Sequence, residues 1–467
     1  MTFDLVIRGG RLAESGAVAD LAVEAGRIAQ LGGEMQGIRE LDATGKLVLP
    51  GGVDAHVHLS SPPGEHAEPR WVDDFSSGSA AAFAGGITSV GNMTFLGPGE
   101  PPLDGLARET ALVQQQSMAD VFLHPVLNEP DAVTLEQIPQ LIERGCSSIK
   151  VFLPRPSFDQ QLIGWTRAID LAGSHGIVSM LHCEDLSVLV QAVARLTALG
   201  QTELRYFPES RPPLAEVIAT QRAVALAEAT GAPVYVVHLS CERALRVCAD
   251  AQARGVAVFV ETRPLYLHLT QDVFASDPAC GLYVGQPPLR AASDVEALWS
   301  GLRQGTVHTV CTDHAPWSRA AKLDASLSVT NLRPGVENLQ LLVPMLYSEG
   351  VRTGRISLQR WVELVSTTAA RLFGLYPRKG TLAVGSDADV VIFDPERSRT
   401  VTGTMLQSNA DYSVYEGWQV TGWPVVTIRR GEVVYDNERV LARPGSGQVL
   451  ACGPTLATAA GGQSSPS

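Results

Sequence analysis

The sequence predicts an α/β protein: a (β/α)8 TIM barrel joined to a small β-sandwich domain built from both chain ends. Two observations carry this reading. Between residues 51 and 374, short β-branched runs alternate with alanine- and leucine-rich helical stretches, the pattern of repeated strand–helix units around a parallel sheet. Glycine-broken alternating strands recur at both ends, "DLVIRGGRLA" early and "VVTIRRGEVVYDN" late, so the ends are expected to share one β-domain and the middle to be an insertion. A doubly wound sheet is the competing architecture, but no Gly-rich phosphate loop follows the first strand of the middle region.

Taken in order, residues 1–50 supply the first part of the β-sandwich. Eight strands of the barrel, residues 51–374, are then read from "GGVDAHV", "GITSVGNM", "DVFLHPVLNE", "SSIKVFL", "GIVSMLH", "APVYVVHLS", "GVAVFVET" and "GTVHTVCTD". Eight such units place an active site at the C-terminal ends of the strands. Residues 375–442 complete the β-sandwich, and residues 443–467 are expected to form a flexible tail, small and polar from Thr455 onward.

Composition narrows the function. A chain of 467 residues can bury a large core, and a net charge of −13 without any lysine- and arginine-rich block argues against a nucleic-acid partner. No run is long enough to span a membrane, and the N-terminus lacks a basic lead and a long apolar segment, so neither membrane nor signal peptide is expected. Seven cysteines with no Cys-x-x-Cys pair fit reduced thiols in a cytoplasmic protein.

The chemistry lies in the strand ends. In "GGVDAHVHLS", Asp54, His56 and His58 occupy alternate positions and so share one side of a strand. Lys150, His182, His238 and Asp313 stand at the same place on later strands. Four imidazoles and a carboxylate suit zinc or a similar divalent ion and exceed what one tetrahedral ion needs, which implies two metals and a bridging anion. Lys150 is the odd member: as an ammonium it would repel two dications, so it must be turned away, neutral, or made anionic, and carboxylation by carbon dioxide would supply the bridge. His66, His124, His175, His268 and His308 do not share the pattern, while His314 has a supporting role open to it beside Asp313.

"LPGGVDAHVHLS", "DDFSSGSAAAFAGGITSV", "SIKVF", "VYVVHLS", "PPLR", "TDHAPW" and "LFGLYPRKGTLAVGSDADVVIFDP" together resemble the cyclic amidohydrolases, the group of dihydropyrimidinase, hydantoinase, allantoinase and dihydroorotase. The resemblance implies a binuclear centre, most simply of Zn2+, held by His56, His58, N6-carboxylated Lys150, His182, His238 and Asp313. It implies attack of a bridging hydroxide on a ring carbonyl, with Asp313 moving the proton to the leaving nitrogen and the ring opening to a carbamoyl or ureido acid. A homo-oligomer, dimer or tetramer, is likewise implied. Zinc, manganese, cobalt and iron all suit these ligands.

The substrate ring is less legible. Asp73, Asp74 and Phe75 and the "LFGLYPRKG" segment resemble hydantoinases and dihydropyrimidinases, and Asn331 ahead of "RPGVEN" matches a substrate-contacting asparagine of that family. Arg155 stands where those enzymes have a substrate-binding tyrosine, and Gln286 where a serine is usual. Arg155 either makes an anion contact in the pocket or is a surface arginine beside two prolines. Ser60 replaces the carboxylate-gripping arginine of dihydroorotases, which argues against dihydroorotate; allantoinase, which also lacks the tyrosine, is the nearest rival. A catalytically silent scaffold is the alternative of another class, disfavoured because all six metal positions are filled.

Overall fold

The computed structural model describes residues 2–64 and 70–455. Eight parallel strands form one sheet in sequence order: Gly52–Val57, Ile87–Phe95, Asp120–Val126, Ser148–Phe152, Val178–His182, Val234–Val236, Val258–Thr262 and Thr309–Val310. All eight were legible in the sequence. Their near-continuous burial explains the β-branched runs, since strands covered on both faces need apolar side chains throughout. The first and eighth strands meet at a parallel bridge between Val57 and His314, where the His58 amide donates to the His314 carbonyl at 2.9 Å. Asp54 fastens the same seam. Its carboxylate accepts the Thr312 hydroxyl at 2.5 Å and the His56 amide at 3.1 Å.

The base of the barrel is apolar. Phe122, Met180, Tyr235 and Val237 pack there against Phe373 and Leu450, which leaves polar chemistry to the opposite mouth.

The chain ends build a nine-stranded mixed sheet. Its two halves join where Leu47–Pro50 pairs antiparallel with the start of Val390–Thr400, so the two glycine-centred phrases of the sequence belong to one sheet without being direct neighbours. Leu47–Pro50 runs almost directly into the first barrel strand.

Residues 443–455 differ from the expected flexible tail. The Gly447 amide donates to Ser117 O, Leu450 to Val121 O, Cys452 to Gly145 O and Thr455 to Gly176 O, a strap across the barrel base with Leu450 and Cys452 buried. Small and polar composition misleads here because backbone hydrogen bonding, not side-chain burial, holds much of the strap. Residues 456–467 of that tail, and His66, lie outside the described residues. No helix among the described residues is long and apolar enough to cross a membrane.

Candidate active site at the barrel mouth

Five of the eight strands deliver the six polar residues, all but Lys150 at or just beyond a C-terminal end. His56 is the penultimate residue of the first strand and His58 follows it; Lys150 lies in the fourth strand, and His182 ends the fifth. His238 and Asp313 follow the short sixth and eighth strands in left-handed backbone, φ 40° and 49°. That conformation costs a non-glycine residue about 1–2 kcal/mol, and such strain concentrates at functional positions.

The six side chains meet in one cavity of about 340 Å³. Asp313 Oδ1 lies 2.8 Å from His58 Nε2 and 3.2 Å from His56 Nε2, and the ligand atoms of these three residues all lie within 4.8 Å of one another. The imidazole of His238 packs 4.6 Å from that of His182 and 5.5 Å from that of His56. Three residues that the sequence reading did not single out, two of them carboxylates, organise this cluster. Glu261, on the seventh strand, accepts from His56 Nδ1 at 2.8 Å and from the His238 amide at 2.9 Å. With Nδ1 engaged, the lone pair of His56 Nε2 faces the cavity, the arrangement a metal ligand needs. Glu184 does the same from the other side, taking His182 Nε2 at 2.7 Å and leaving Nδ1 free.

The third missed residue is Arg263, fully buried, whose Nη1 lies 2.9 Å from Asp313 Oδ2. Burial alone would raise the Asp313 carboxyl, but the Arg263 guanidinium holds it well below the usual carboxylate range. Burial moves other groups toward neutrality: it raises Glu261 to about 7, against the pull of Lys150, and lowers Lys150 to about 8. His56 and His238 fall well below the usual imidazole value for the same reason. At His56, His238 and Asp313 the cavity therefore presents two neutral imidazoles and an ionised carboxylate, the protonation states of metal ligands.

Unsatisfied atoms test the fit to a metal centre. Lys150 Nζ, His58 Nδ1 and His238 Nδ1 are buried with no hydrogen-bond partner. An orphaned buried polar atom costs about 1–3 kcal/mol, so a cluster of them points to a missing ligand. The donor set, nitrogen and carboxylate oxygen with a lysine that carbon dioxide can convert to a carbamate, fits a divalent pair.

Of the remaining expectations, Arg155 and Gln286 line the cavity and Asn331 does not. Asn331 is exposed, its Nδ2 donates to Ser326 O, and a bridge to Ser328 turns the loop back on itself; Pro334 and Gly335 of the same loop form the wall instead. Motif order located the loop but could not orient the side chain. His314 lies behind the cavity, with Nε2 2.8 Å from Asp73 and Nδ1 receiving the Asn338 and Leu339 amides, so it anchors loops around the site. The wall facing the cluster is aromatic: Trp71 and Phe95 pack on His58 at 5.0 and 5.6 Å, and Phe152 lies 5.3 Å from His182.

A barrel with imidazoles, a buried lysine and an ionised aspartate at its mouth defines a metal-dependent hydrolase. Comparison with known proteins gives the particular family. Residues 47–434 match the amidohydrolase family model, and the chain belongs to that family, whose members are metal-dependent. It is 34% identical to the D-hydantoinase of Ralstonia pickettii over 456 residues, covering 96% of this chain and 98% of the relative. It is 36% identical to a D-phenylhydantoinase of Escherichia coli, covering 94% and 95%. Among solved structures, a D-hydantoinase superposes with a TM-score of 0.93 at 33% identity, covering 97% and 100%. The dihydropyrimidinase of Brevibacillus agri superposes at 0.90 and 33%, covering 96% and 98%.

Proposed function

We propose that the protein hydrolyses the C–N bond of a cyclic amide, a hydantoin or dihydropyrimidine ring, to a carbamoyl or ureido acid. The observation that carries this is the convergence of His56, His58, Lys150, His182, His238 and Asp313 on one cavity walled by aromatic rings. In this reading these six residues, with Lys150 as its carbamate, would hold two divalent ions, zinc being the simplest choice. Bound there, such ions would polarise the ring carbonyl and make water nucleophilic near neutrality.

The protein's own groups do the rest. Trp71, Phe95 and Phe152 receive a flat ring and exclude bulk water from its face. Asp313, kept ionised by Arg263, accepts the proton of the attacking water and returns it to the ring nitrogen as its bond to the attacked carbonyl breaks, so that this nitrogen becomes the neutral NH2 of the carbamoyl group in the opened acid. Glu261 and Glu184 keep their histidines from rotating, so the reacting atoms meet a fixed frame. Gln286 and Arg155 at the rim contact the ring or its substituents. Allantoin is the second candidate ring, favoured by an arginine rather than a tyrosine at position 155. We further infer a cytoplasmic setting, supported by seven buried free thiols, and a homo-oligomer, supported by the family resemblance alone.

Turnover of dihydrouracil, hydantoin, allantoin and dihydroorotate by metal-replete protein, read by mass spectrometry as addition of one water, tests the reading. Preferred opening of hydantoin or dihydrouracil is expected; preference for allantoin would move the assignment to that ring, and opening of none would overturn it.

A further inference from the structure

Arg155 lines the cavity as a cation to which the ring-opening step assigns neither a metal nor a proton. It sits five residues beyond Lys150, half-buried, with its guanidinium carbon 5.0 Å from the centre of the Phe152 ring. Lys150 Nζ lies 5.2 Å from the same centre, so the guanidinium and the reaction site share Phe152 as a neighbour. Nη1 is fixed by the Leu127 carbonyl at 3.2 Å and the Asn128 side-chain oxygen at 3.0 Å. Both acceptors are neutral. Nε and Nη2 have no hydrogen-bond partner among the described residues, and no carboxylate pairs with Arg155 there.

The rest of the cavity cannot supply a counter-charge. Its only carboxylate among the described lining residues is Asp313, already committed to Arg263 and the histidines. The other arginine near the rim, Arg211, is neutralised by Glu184. Burial depresses the Arg155 guanidinium from its ordinary value with nothing opposing it, the mark of a cation left without a partner. A positive group that lines the substrate cavity, held through Nη1 by two neutral acceptors and with Nε and Nη2 unpaired among the described residues, suits two-point contact with a planar anion.

We propose that Arg155 binds a carboxylate carried on a short arm of the ring that this site opens. The inference rests on the ring-opening reading above and narrows its substrate class to cyclic amides with an acidic substituent. Both Lys150 and Arg155 line the cavity beside Phe152, so a short arm of one or two methylenes is the substituent proposed to carry the carboxylate from the reacting ring to the guanidinium.

The test compares hydantoin-5-acetate with its neutral isostere hydantoin-5-acetamide, using metal-replete wild type, Arg155→Gln and Arg155→Lys, with unsubstituted hydantoin as reference. A charge-assisted pair predicts kcat/KM for the acid at least about tenfold above the amide in wild type. The acid-to-amide ratio should fall to about one in Arg155→Gln and be partly kept in Arg155→Lys, mainly through KM. Binding of the acid to Asp313→Asn protein by calorimetry, with and without Arg155→Gln, gives a second readout independent of turnover. Equal use of acid and amide by wild type, or a ratio unchanged in Arg155→Gln, overturns the proposal while hydantoin opening preserves the ring-opening reading. If no ring is opened yet the acid still binds through Arg155, the ring-opening reading falls and the anion contact stands; loss of both overturns both.

Discussion

Lys150 is a fully buried amine without a hydrogen-bond partner in a cavity lined by four imidazoles and a carboxylate. Such a group is tolerated only if a ligand completes it, and a carbamate bridging two ions would do so. Lys150→Ala is therefore expected to lower bound metal from two ions per chain to one or fewer, measured by plasma emission after gel filtration, with short carboxylates restoring part of the loss. Full metal content in the variant would show that Lys150 is not a ligand. At this scale the sequence disclosed the six converging residues because each is a polar exception in an apolar strand. It did not disclose Glu261 or Arg263. "VFVETRP" reads locally as the end of a strand, and the meaning of Glu261 comes from His56, 205 residues away. Asn331 shows the converse: its motif was visible, but the position of its side chain, which turns to Ser326 O and solvent rather than into the cavity, was not.

At the scale of elements, the barrel closes through a seam of few contacts. The eighth strand has only two residues, Thr309–Val310, so Asp54 and Thr312 carry much of the join between first and last strands. The Asp54 carboxyl, raised to about 7 by burial despite its hydrogen bond to Thr312, depends on that hydroxyl. Thr312→Val keeps the shape and removes the donor. A loss of about 1–3 kcal/mol in denaturant-derived stability is expected, the cost of a buried acceptor left unpaired; no change would mean that the amides of His56 and Thr312 suffice. Strand existence was legible throughout, because covered strands must be apolar. The alternation that places Asp54, His56 and His58 on one side was only partly realised. Register shifts between Asp54 and Val57 break the strict period, and Asp54 ends in the seam rather than in the cavity.

Across the whole molecule, the end-built sheet is riveted to the barrel by one buried lysine. Lys379 Nζ lies 2.8 Å from Asp120 at the start of the third barrel strand, 2.8 Å from Asp389 and 3.2 Å from Asp387 beside the Val390–Thr400 strand. Asp389 also accepts the Thr88 hydroxyl and the Arg430 amide, both at 2.8 Å. Although burial opposes it, Lys379 holds the Asp389 carboxyl below its ordinary value. A carboxyl depressed in the folded state adds stability that is present above its unfolded pKa, about 4, and lost as pH falls through the lower folded value. Wild-type Tm should therefore drop below about pH 4. Asp389→Asn should lower Tm at neutral pH and flatten that acid decline, and parallel acid limbs would refute the assignment. None of this was legible in the sequence, where Lys379 is one charge in "YPRKG"; its partners lie in segments that only the fold brings together.

The central claim is that this mouth opens ring amides with Asp313 as its proton carrier. The most direct measurement is the opening of hydantoin by wild type and by Asp313→Asn, each analysed for bound metal and Tm on the same preparation. The account predicts turnover by wild type and a loss of at least about 100-fold in the variant, the lower end of what a positioned acid–base group contributes, with the fold intact. A variant that opens the ring at the wild-type rate with its metal in place, or a metal-replete wild type that opens no ring, would contradict it.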